Sequence, residues 1–588
     1  MRALGQNVEF KVARRGRRKG NVIVLTAFLM IVMLALVALS VDVGYVYTLQ
    51  AQLQRSVDAA ALAGAGQLVE GPDVAQATAT EYLVRNPVGS SMSVIDESAL
   101  ASTVTTFKND HKNDYQLKVG NWNPNTRTFE ESNVMPSTMS VTMTYPNMPL
   151  FFARALGRDS VNITASSVAM YQPRDIVLVL DFSGSMNDDS EFSAISKLGQ
   201  SEVEGNLAEI YSDLGSPTYG NLQFAPQWAT AHGVPQNDAQ GIPHISVEYR
   251  NSSVFITSTS NLTTVKVEFS NSNQQSWSPS STSTGTFTGS GGNAGKQIRK
   301  VWVNSGNNTV QFGSNGEYFD FTSGNINTTL KKALGLNTVT YPYASGSWDA
   351  YIDWVEASGN QNANAGYRYK FGYMNLIVWW LEARPAYNQT ADLWKVRAEP
   401  INALKDSVAV FMDFIGAVDT QDRVALAIYN AANGEGMIEK PFTSDYDSIS
   451  TTVSQRQAGH YHSYTNIGAG LHEAREHLDA HARPNAKKLI VLMTDGQANW
   501  VNGAYNESAA NQYLIDEANL CAADARKYEV FAISMGAGAD TSIMQQVATI
   551  TDGTHFNVPG GSSQSDYYNQ LYDTFEDIAK ARPLKLVK

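Results

Sequence analysis

The chain has one cysteine, Cys521, among its 588 residues, so no disulfide can form within it. Charged residues are also scarce, at 17% of the sequence, which predicts a surface of polar, uncharged side chains. Positive charge is concentrated in residues 1–20, which hold seven Lys or Arg against one Glu, although the whole chain has a net charge of −13. The remainder is therefore strongly acidic, which argues against nucleic-acid binding.

Long apolar runs are rare, with one exception. Residues 22–41, VIVLTAFLMIVMLALVALSV, carry no charge and are long enough as a helix to cross a bilayer of roughly 30 Å. The basic cluster precedes this run and Asp42 follows it, so the positive-inside rule places the N-terminus in the cytoplasm and the bulk outside, on a single-pass inner-membrane protein. A cleaved secretory signal is the alternative, but its apolar region would be shorter and would end in small residues.

The apolar character continues into VDVGYVYTLQAQLQRSVDAAALAGAGQL, which predicts a long helix projecting from the membrane. This stretch resembles the N-terminus of the TadE/TadG-like proteins of Tad (Flp) pilus assembly, in Asp42, Gly44, Tyr47, Leu53, Gln54 and the run from Asp58 to Ala63. The resemblance extends more loosely to about residue 170 and implies a strand-rich region after the helix. A generic anchor with an alanine-rich helix is the simpler alternative.

One departure from the pathway's prepilins concerns processing. Prepilins carry a glutamate five residues after the glycine at which they are cleaved, whereas Gly20 is followed by Leu25 at that position. The sequence therefore predicts no prepilin-type cleavage.

A second set of motifs indicates a metal site. The apolar run in DIVLVLDFSGSM predicts a buried parallel strand that ends at Asp181, and a turn with the spacing D-x-S-x-S follows, with Ser183 and Ser185. A second such strand, in KKLIVLMTDGQAN, ends at Asp495, and Thr465 comes just before a helical pattern. Carboxylate and hydroxyl oxygens are ligands that hard cations such as Mg²⁺ prefer.

This order of motifs resembles the von Willebrand factor A (VWA) domain and its metal-ion-dependent adhesion site. The resemblance implies that Ser183, Ser185 and Thr465 supply hydroxyl oxygens, and that Asp181 and Asp495 act directly or through water, on Mg²⁺, Mn²⁺ or Ca²⁺. Such an ion can take a carboxylate from a partner as a further ligand. A doubly wound sheet whose metal loop has lost its function is the alternative.

Some 200 residues separate the metal loop from the next VWA-like helix. Short β-branched segments such as HISVEYR, SSVFITSTS and TTVKVEFS predict an antiparallel sandwich, and an aromatic helical part follows. Because both ends of this insertion fall at the metal loop, we expect it to lie over the site as a lid or specificity module. Its Ser, Thr and Asn content also suits carbohydrate recognition.

The sequence thus predicts an α/β protein with a doubly wound, mostly parallel VWA sheet, a β-rich insertion, one transmembrane helix and a small α+β pilin-like region. The expected boundaries are a cytoplasmic segment at 1–21, the membrane helix at 22–41, the Tad-like region at 42–170, the VWA domain at 174–190 with 394–588, and the insertion at 191–393. The expected ligand is a protein or surface component that offers a carboxylate, with pilus-assembly proteins as partners.

No catalytic function is predicted. The segment HEAREH, from His472 to His477, has one residue too many for the zinc-protease motif, and its two histidines lie about 140° apart on a helix. The sequence offers no pairing of a nucleophile with a base. A VWA scaffold that regulates a partner enzyme is the alternative function.

Overall fold

The computed structural model describes residues 21–89, 99–123, 126–134, 136–233, 244–305, 308–312, 326–417, 420–429, 436–484, 486–536, 538–561, 563 and 565–587. The cytoplasmic segment predicted for residues 1–21 lies outside the described residues apart from its last position. The chain divides into two compact units, Met1–Gln172 with Arg582–Lys588, and Pro173–Ala581. We describe each unit by itself.

The first unit begins with one continuous helix. Its elements are α1 (Asn21–Gly66), α2 (Pro72–Arg85), α3 (Leu100–Asp110), β1 (Tyr115–Asn123), β2 (Thr128–Glu131), β3 (Thr138–Pro149) and β4 (Ser160–Tyr171). The N-terminal part of α1 reaches a mean hydropathy of 3.1 with no side chain buried, and among the described residues it is the one helix long and apolar enough to span a membrane. The predicted membrane segment is thus one apolar helix, whose length and composition are consistent with a single-pass anchor.

The C-terminal half of α1 is a packing element. Leu49, Leu53, Val57 and Ala61 recur every four residues, are at most 1% exposed, and therefore form one buried helix face. This half packs against α2, β3 and β4. The C-terminal half of the long helix that the sequence predicts is thus the central packing element of the first unit.

The second unit contains a doubly wound sheet with the strand order β17-β16-β5-β18-β21-β22, in which β17 alone is antiparallel to its neighbour. The strands are β5 (Arg174–Leu180), β16 (Arg423–Tyr429), β17 (Gly436–Thr443), β18 (Lys487–Thr494), β21 (Glu529–Met535) and β22 (His555–Val558). The apolar run of β5 is buried on both faces, with Ile176 and Leu178 in one core and Val177 and Val179 in the other. The predicted α/β fold is confirmed.

Helices cover both faces of this sheet. One layer holds α10 (Ile401–Gly416), α11 (Tyr446–Ser454) and α15 (Ser565–Lys580), and the other holds α12 (Ile467–His481), α13 (Glu507–Ala522) and α14 (Thr541–Ile550). A small hairpin, β19 (Trp500–Val501) with β20 (Ala504–Tyr505), follows β18. At the end of the sheet remote from the site, buried Arg174 donates to Asp422 and to the final carbonyls of α15.

Helix α12 approaches the sheet closely at Gly470. A Cβ built on Gly470 would lie 2.6 Å from a ring carbon of Tyr429 and 2.7 Å from a methyl of Val179. Gly470→Ala should therefore lower the free energy of unfolding by about 1–3 kcal/mol through overpacking. Gly205→Ala is the matched control, because its Cβ would meet open space within a helix and should be stabilising by about 0.5–1 kcal/mol. Equal stability of the two variants in thermal unfolding would contradict the close approach.

In the described residues, the insertion follows β5 and consists of small helices, two four-stranded antiparallel sheets and a two-stranded antiparallel pair. Its elements are α4 (Ile195–Leu198), α5 (Gln200–Asp213), β6 (Gln227–Trp228), β7 (Thr230–Gly233), β8 (Ile245–Tyr249), β9 (Ser253–Ser258), β10 (Leu262–Phe269), β11 (Gln274–Trp277), β12 (Thr284–Thr288), β13 (Ile298–Ser305), β14 (Asn308–Phe312), α6 (Ile326–Ala333), α7 (Trp348–Glu356), α8 (Gln361–Asn364), β15 (Lys370–Phe371) and α9 (Tyr373–Ala383). The sheet orders are β12-β9-β8-β7 and β11-β10-β13-β14. The hydroxyls of Ser258 and Ser305, one from each sheet, lie 3.0 Å apart in the buried space between them.

The chain ends in a strand of the first unit. β23 (Leu584–Leu586) pairs antiparallel with β4, which gives a sheet of order β2-β1-β3-β4-β23 in the described residues. The sequence places the VWA domain at 394–588, whereas the structure assigns Arg582–Lys588 to the N-terminal unit. A strand of three residues gains its stability from the sheet that it joins, which is a long-range contact and leaves no local signal.

Candidate functional site

The candidate metal loop begins where β5 ends. Asp181 follows this strand directly and is fully buried. One of its carboxylate oxygens accepts the backbone N–H of Ser183 at 2.8 Å, and the other accepts the Thr494 hydroxyl at 2.9 Å. Because Thr494 ends the neighbouring parallel strand, Asp181 joins two strand ends at the carboxyl edge of the sheet, where open α/β sheets hold ligands.

The structure brings together all five residues that the sequence singles out. The hydroxyl oxygens of Ser183 and Ser185 lie 2.9 Å apart, and Ser185 donates to Asp495 at 2.8 Å. Gly496 lies beside them, since a Cβ built there would be 3.6 Å from the Ser185 hydroxyl and 4.0 Å from the Thr465 hydroxyl. Three hydroxyls and two carboxylates therefore converge on one place.

Thr465 is held in this group by the loop that follows the T-D-G motif. Its backbone N–H donates to the Asn499 side chain at 2.9 Å, and its carbonyl accepts the N–H groups of Asn499 and Trp500. The next residue, Asn466, caps the N-terminus of α12 by accepting the N–H of Ala469. The Thr465 hydroxyl is thus positioned by main-chain contacts with the loop that carries Asp495.

The site concentrates negative charge in a buried place. Burial, together with the charge of Asp181, raises the pKa of Asp495 well above its ordinary value, although the hydrogen bond from Ser185 opposes this rise. Asp188 and Asp189 raise it further. Neither Asp181 nor Asp495 forms an ion pair with a Lys or Arg of the described residues. Among the described residues, the cation that lines the same cavity, Lys197, is paired with Asp189 and not with either of these carboxylates.

A cavity of about 380 Å³ opens at the site. Ser185, Thr465 and Asp495 line it, and so do three residues of the insertion, Ser193, Ala194 and Lys197. The first helical turns of the insertion therefore form part of the cavity lining at the metal loop.

Two acidic residues of this cavity were not singled out by the sequence analysis. Asp188 and Asp189 follow the D-x-S-x-S turn within a 3-10 segment, Gly184–Ser190. Burial, with the charges of Asp189 and Glu382, raises the pKa of Asp188 to about 7. Asp189 pairs with Lys197 at 3.0 Å. The sequence signal that could have identified Asp188 and Asp189 is their position shortly after the D-x-S-x-S motif.

An aromatic ledge lies next to Thr465, formed by Tyr464, Trp500 and Tyr505. The rings of Tyr464 and Trp500 stack with centroids 4.3 Å apart, and Tyr505 meets Tyr464 edge-on at 6.3 Å. Tyr464 is 41% exposed and Tyr505 is 60% exposed. The sequence analysis missed this surface because Tyr505 reaches Tyr464 through a hairpin whose strands have two residues each. Strands of this length are too short to give a recognisable pattern in the sequence.

Any metal bound at this site would depend on hydroxyl ligands. Within the part of the chain that the structure describes, no group of three or more His, Cys, Asp or Glu side chains could hold a metal ion. His472 and His477 do not form a site either, since His472 contacts Glu517 and His477 packs on Phe442. The five converging residues are thus the candidate, with two carboxylates and three hydroxyls.

Family models match three regions of the chain. Residues 20–67 match the putative Flp pilus-assembly TadE/G-like model, residues 63–169 match the putative Tad-like Flp pilus-assembly model, and residues 394–570 match the von Willebrand factor type A domain. The chain joins a Tad-like N-terminal region to a VWA domain. Both expected resemblances are confirmed, and the combination is that of a pilus-associated VWA protein with a single membrane anchor. Tad and VWA regions are typically adhesion or scaffold modules, not enzymes.

The VWA match begins after the insertion and omits the first strand of the domain. The structure supplies this strand, because β5 lies between β16 and β18 at the centre of the sheet and carries Asp181 at its end.

Solved structures with partial similarity include proximal thread matrix protein 1 from the mussel byssus, with 19% identity and a TM-score of 0.23 over 30% of this chain and 42% of that one. The pilus adhesin SpaC from Lactobacillus rhamnosus GG has 15% identity and a TM-score of 0.24 over 30% and 28%. A von Willebrand factor type A protein from Catenulispora acidiphila has 15% identity and a TM-score of 0.23 over 31% and 38%. The chain spans less than half the length of each of these three. The search of curated proteins gave no match.

Proposed function

We propose that this chain is a membrane-anchored component of Tad-type pilus assembly or adhesion, whose VWA domain binds a carboxylate of a protein or surface ligand through a divalent cation. The residues that would hold the cation are Asp181, Ser183, Ser185, Thr465 and Asp495. On this proposal the chain acts by binding and has no enzymatic activity of its own. The bulk of the chain lies outside the inner membrane.

One observation supports the proposal above the others. Asp181 and Asp495 are both buried near three hydroxyls, and burial, together with the charge of Asp181, raises the pKa of Asp495. Burial of charge without a partner is costly, so such a pair calls for a positive charge from outside the protein. An all-oxygen donor set suits Mg²⁺, Mn²⁺ or Ca²⁺, and the residues present therefore fit a hard divalent cation.

A bound cation with few anionic ligands would supply an electron-poor centre for an incoming carboxylate. The protein's own residues define which carboxylate reaches it. Ser193, Ala194 and Lys197 of the insertion form one wall of the cavity, and Lys197 adds a positive charge there. The aromatic ledge extends from Thr465 on exposed surface. We infer that this cavity wall and the aromatic ledge determine which ligand binds. The five oxygen donors would hold the cation but would not distinguish one carboxylate ligand from another.

The test uses the full chain in lipid nanodiscs, immobilised, with the sheared pilus fraction of the source cells as the probe. We expect retention in Mg²⁺, loss in EDTA, and recovery when Mg²⁺ is added back. Retention that EDTA leaves unchanged would overturn the metal-dependent mechanism. A variant lacking residues 191–390 that still binds the same fraction equally well would refute the role of the insertion.

The aromatic ledge gives a separate prediction about the same partner. Tyr464→Ala removes the exposed ring that stacks on Trp500, and truncation of a central interface aromatic costs at least about 2 kcal/mol, or roughly thirtyfold in affinity. Tyr568→Ala, a partly exposed tyrosine on α15 that lies outside the ledge, is the control and should bind as the wild type does. Binding is measured in Mg²⁺ by surface plasmon resonance. Equal affinities for the two variants would remove the ledge from the binding surface.

A further inference from the structure

The apolar, exposed part of α1 ends at a defined residue. Val41 is 46% exposed, as befits a side chain that faces lipid, whereas the next residue, Asp42, is 4% exposed. Asp42 is also the first charged residue after residues 22–41. The boundary between hydrocarbon and the polar interface therefore lies at this turn of α1.

The carboxylate of Asp42 binds a loop that is distant in the sequence, at the point where the apolar part of α1 ends. One oxygen accepts the backbone N–H of Phe151 at 2.8 Å, and the other accepts those of Phe152 at 3.0 Å and Ala153 at 2.6 Å. Burial alone would raise the pKa of Asp42, but these three donors hold it below its ordinary value. The β3–β4 loop, residues 150–159, is thus fixed beside the end of the membrane span.

This loop presents two large aromatic side chains outward. Phe151 is 58% exposed and Phe152 is 49% exposed, whereas Val141 and Met143 on β3 are at most 1% exposed. Phe151 also meets the ring of Tyr45 on α1 edge-on, at 4.9 Å, so the apolar surface of α1 continues onto the loop. Two adjacent exposed phenylalanines that continue the apolar surface of a helix form the kind of contiguous apolar patch that marks a membrane or protein contact.

Basic residues follow the aromatic pair in the same loop. Arg154 and Arg158 are both exposed. Aromatic side chains concentrate at the interface of a bilayer, and long basic side chains reach from there to lipid phosphates. The loop, with an aromatic pair followed by arginines, therefore has side chains that suit contact with a lipid surface.

We propose that the β3–β4 loop rests on the lipid bilayer around α1, with Phe151 and Phe152 in the interfacial zone and Arg154 and Arg158 on lipid phosphates. The helix alone would leave the first unit free to tilt and rotate about a single point. The loop adds a second contact with the membrane, which fixes the orientation of this unit. The inference depends on the membrane anchor and is independent of the metal site.

The test places one fluorescent label at each of two positions of the full chain. Cys521 is fully buried, so Phe152→Cys and Val134→Cys can be labelled selectively with an environment-sensitive dye. Val134 is 75% exposed and precedes β3, whose twelve residues place it at roughly 40 Å from the loop. The chain is reconstituted in vesicles of phosphatidylethanolamine and phosphatidylglycerol with nitroxide-bearing lipids.

At position 152 we expect blue-shifted emission, quenching by shallow lipid nitroxides several-fold stronger than at position 134, and protection from aqueous iodide. Iodide quenching at 152 equal to that at 134 would overturn the proposal. A label at 152 that is protected from both quenchers would also overturn it, because a second copy or another protein would then cover the loop.

A second pair of variants tests the role of Asp42. Asp42→Asn in the Phe152→Cys background should reduce lipid quenching and admit iodide, because the loop loses a carboxylate acceptor. Asp58→Asn, which changes a carboxylate of α1 that bonds to Gln54, is the matched control and should leave both signals unchanged. Unchanged quenching in Asp42→Asn would show that Asp42 does not hold the loop on the bilayer.

Discussion

In EDTA we expect Asp181→Asn to unfold at the same temperature as the wild type or higher, and in Mg²⁺ we expect only the wild type to gain stability. Burial is the main cause of the raised pKa of Asp495, and removing the charge of Asp181 relieves the repulsion that adds to it, while an asparagine oxygen can still accept the Ser183 N–H. A ligand at about 100 times its Kd stabilises the folded state by about 2.7 kcal/mol. The variant should lose this whole gain, measured by thermal unfolding of the full chain at several Mg²⁺ concentrations.

The control for this experiment is Asp516→Asn. Asp516 is an exposed carboxylate on α13, bonded to Gln512 and outside the candidate site. It should retain the full Mg²⁺-dependent gain. If the wild type itself unfolds at the same temperature in EDTA and Mg²⁺, or if both variants keep the gain, the assignment of the cation to this group of residues is wrong.

Much of the VWA domain could be predicted from the sequence because its signals are local. A parallel strand buried on both faces must be apolar throughout, so the run before Asp181 and the run before Asp495 were readable as strands of one sheet. Strand ends of a parallel sheet meet at one edge, and this topological rule brings Asp181 and Asp495 together across more than 300 residues. The five site residues followed from that rule and from the resemblance of the motifs.

The rest depends on packing over long distances, which leaves no periodic pattern. The stacking of Tyr464 on Trp500 and the return of β23 to β4 each join segments by contacts that only the tertiary structure defines. Asp42 is the clearest case. Its position in the sequence contributes to the resemblance to TadE/TadG-like proteins. The sequence does not indicate that its carboxylate accepts the N–H of Phe151, which is 109 residues further along the chain.

A buried carboxyl at the boundary between the insertion and α10 predicts a large effect of pH. Glu399 is 8% exposed, and burial with the charges of Asp406 and Asp189 raises its pKa to about 8, although the N–H of Ala403 and the Asn402 side chain oppose this rise. In the unfolded chain the carboxyl titrates near its ordinary value. The folded state therefore binds this proton more tightly than the unfolded chain does. The resulting contribution to the free energy of unfolding is fully present below the pKa of the carboxyl in the unfolded chain, and it is lost as the pH rises through about 8.

We therefore expect Glu399→Gln to become progressively more stable than the wild type between pH 5 and 7, by about 1.4 kcal/mol per pH unit for one proton. Burial lowers the pKa of Lys405 to about 8, and the charge of Glu399 opposes this, so the slope is measured between pH 5 and 7, where Lys405 is still largely protonated. Unfolding is followed in EDTA, and Glu507→Gln at an exposed carboxyl is the control, with a difference from the wild type that should not vary with pH. A difference for Glu399→Gln that is equally constant would mean that this carboxyl is ionised in the folded state across the range. The cost of a buried charge would then be compensated by an interaction other than those with Ala403 and Asn402.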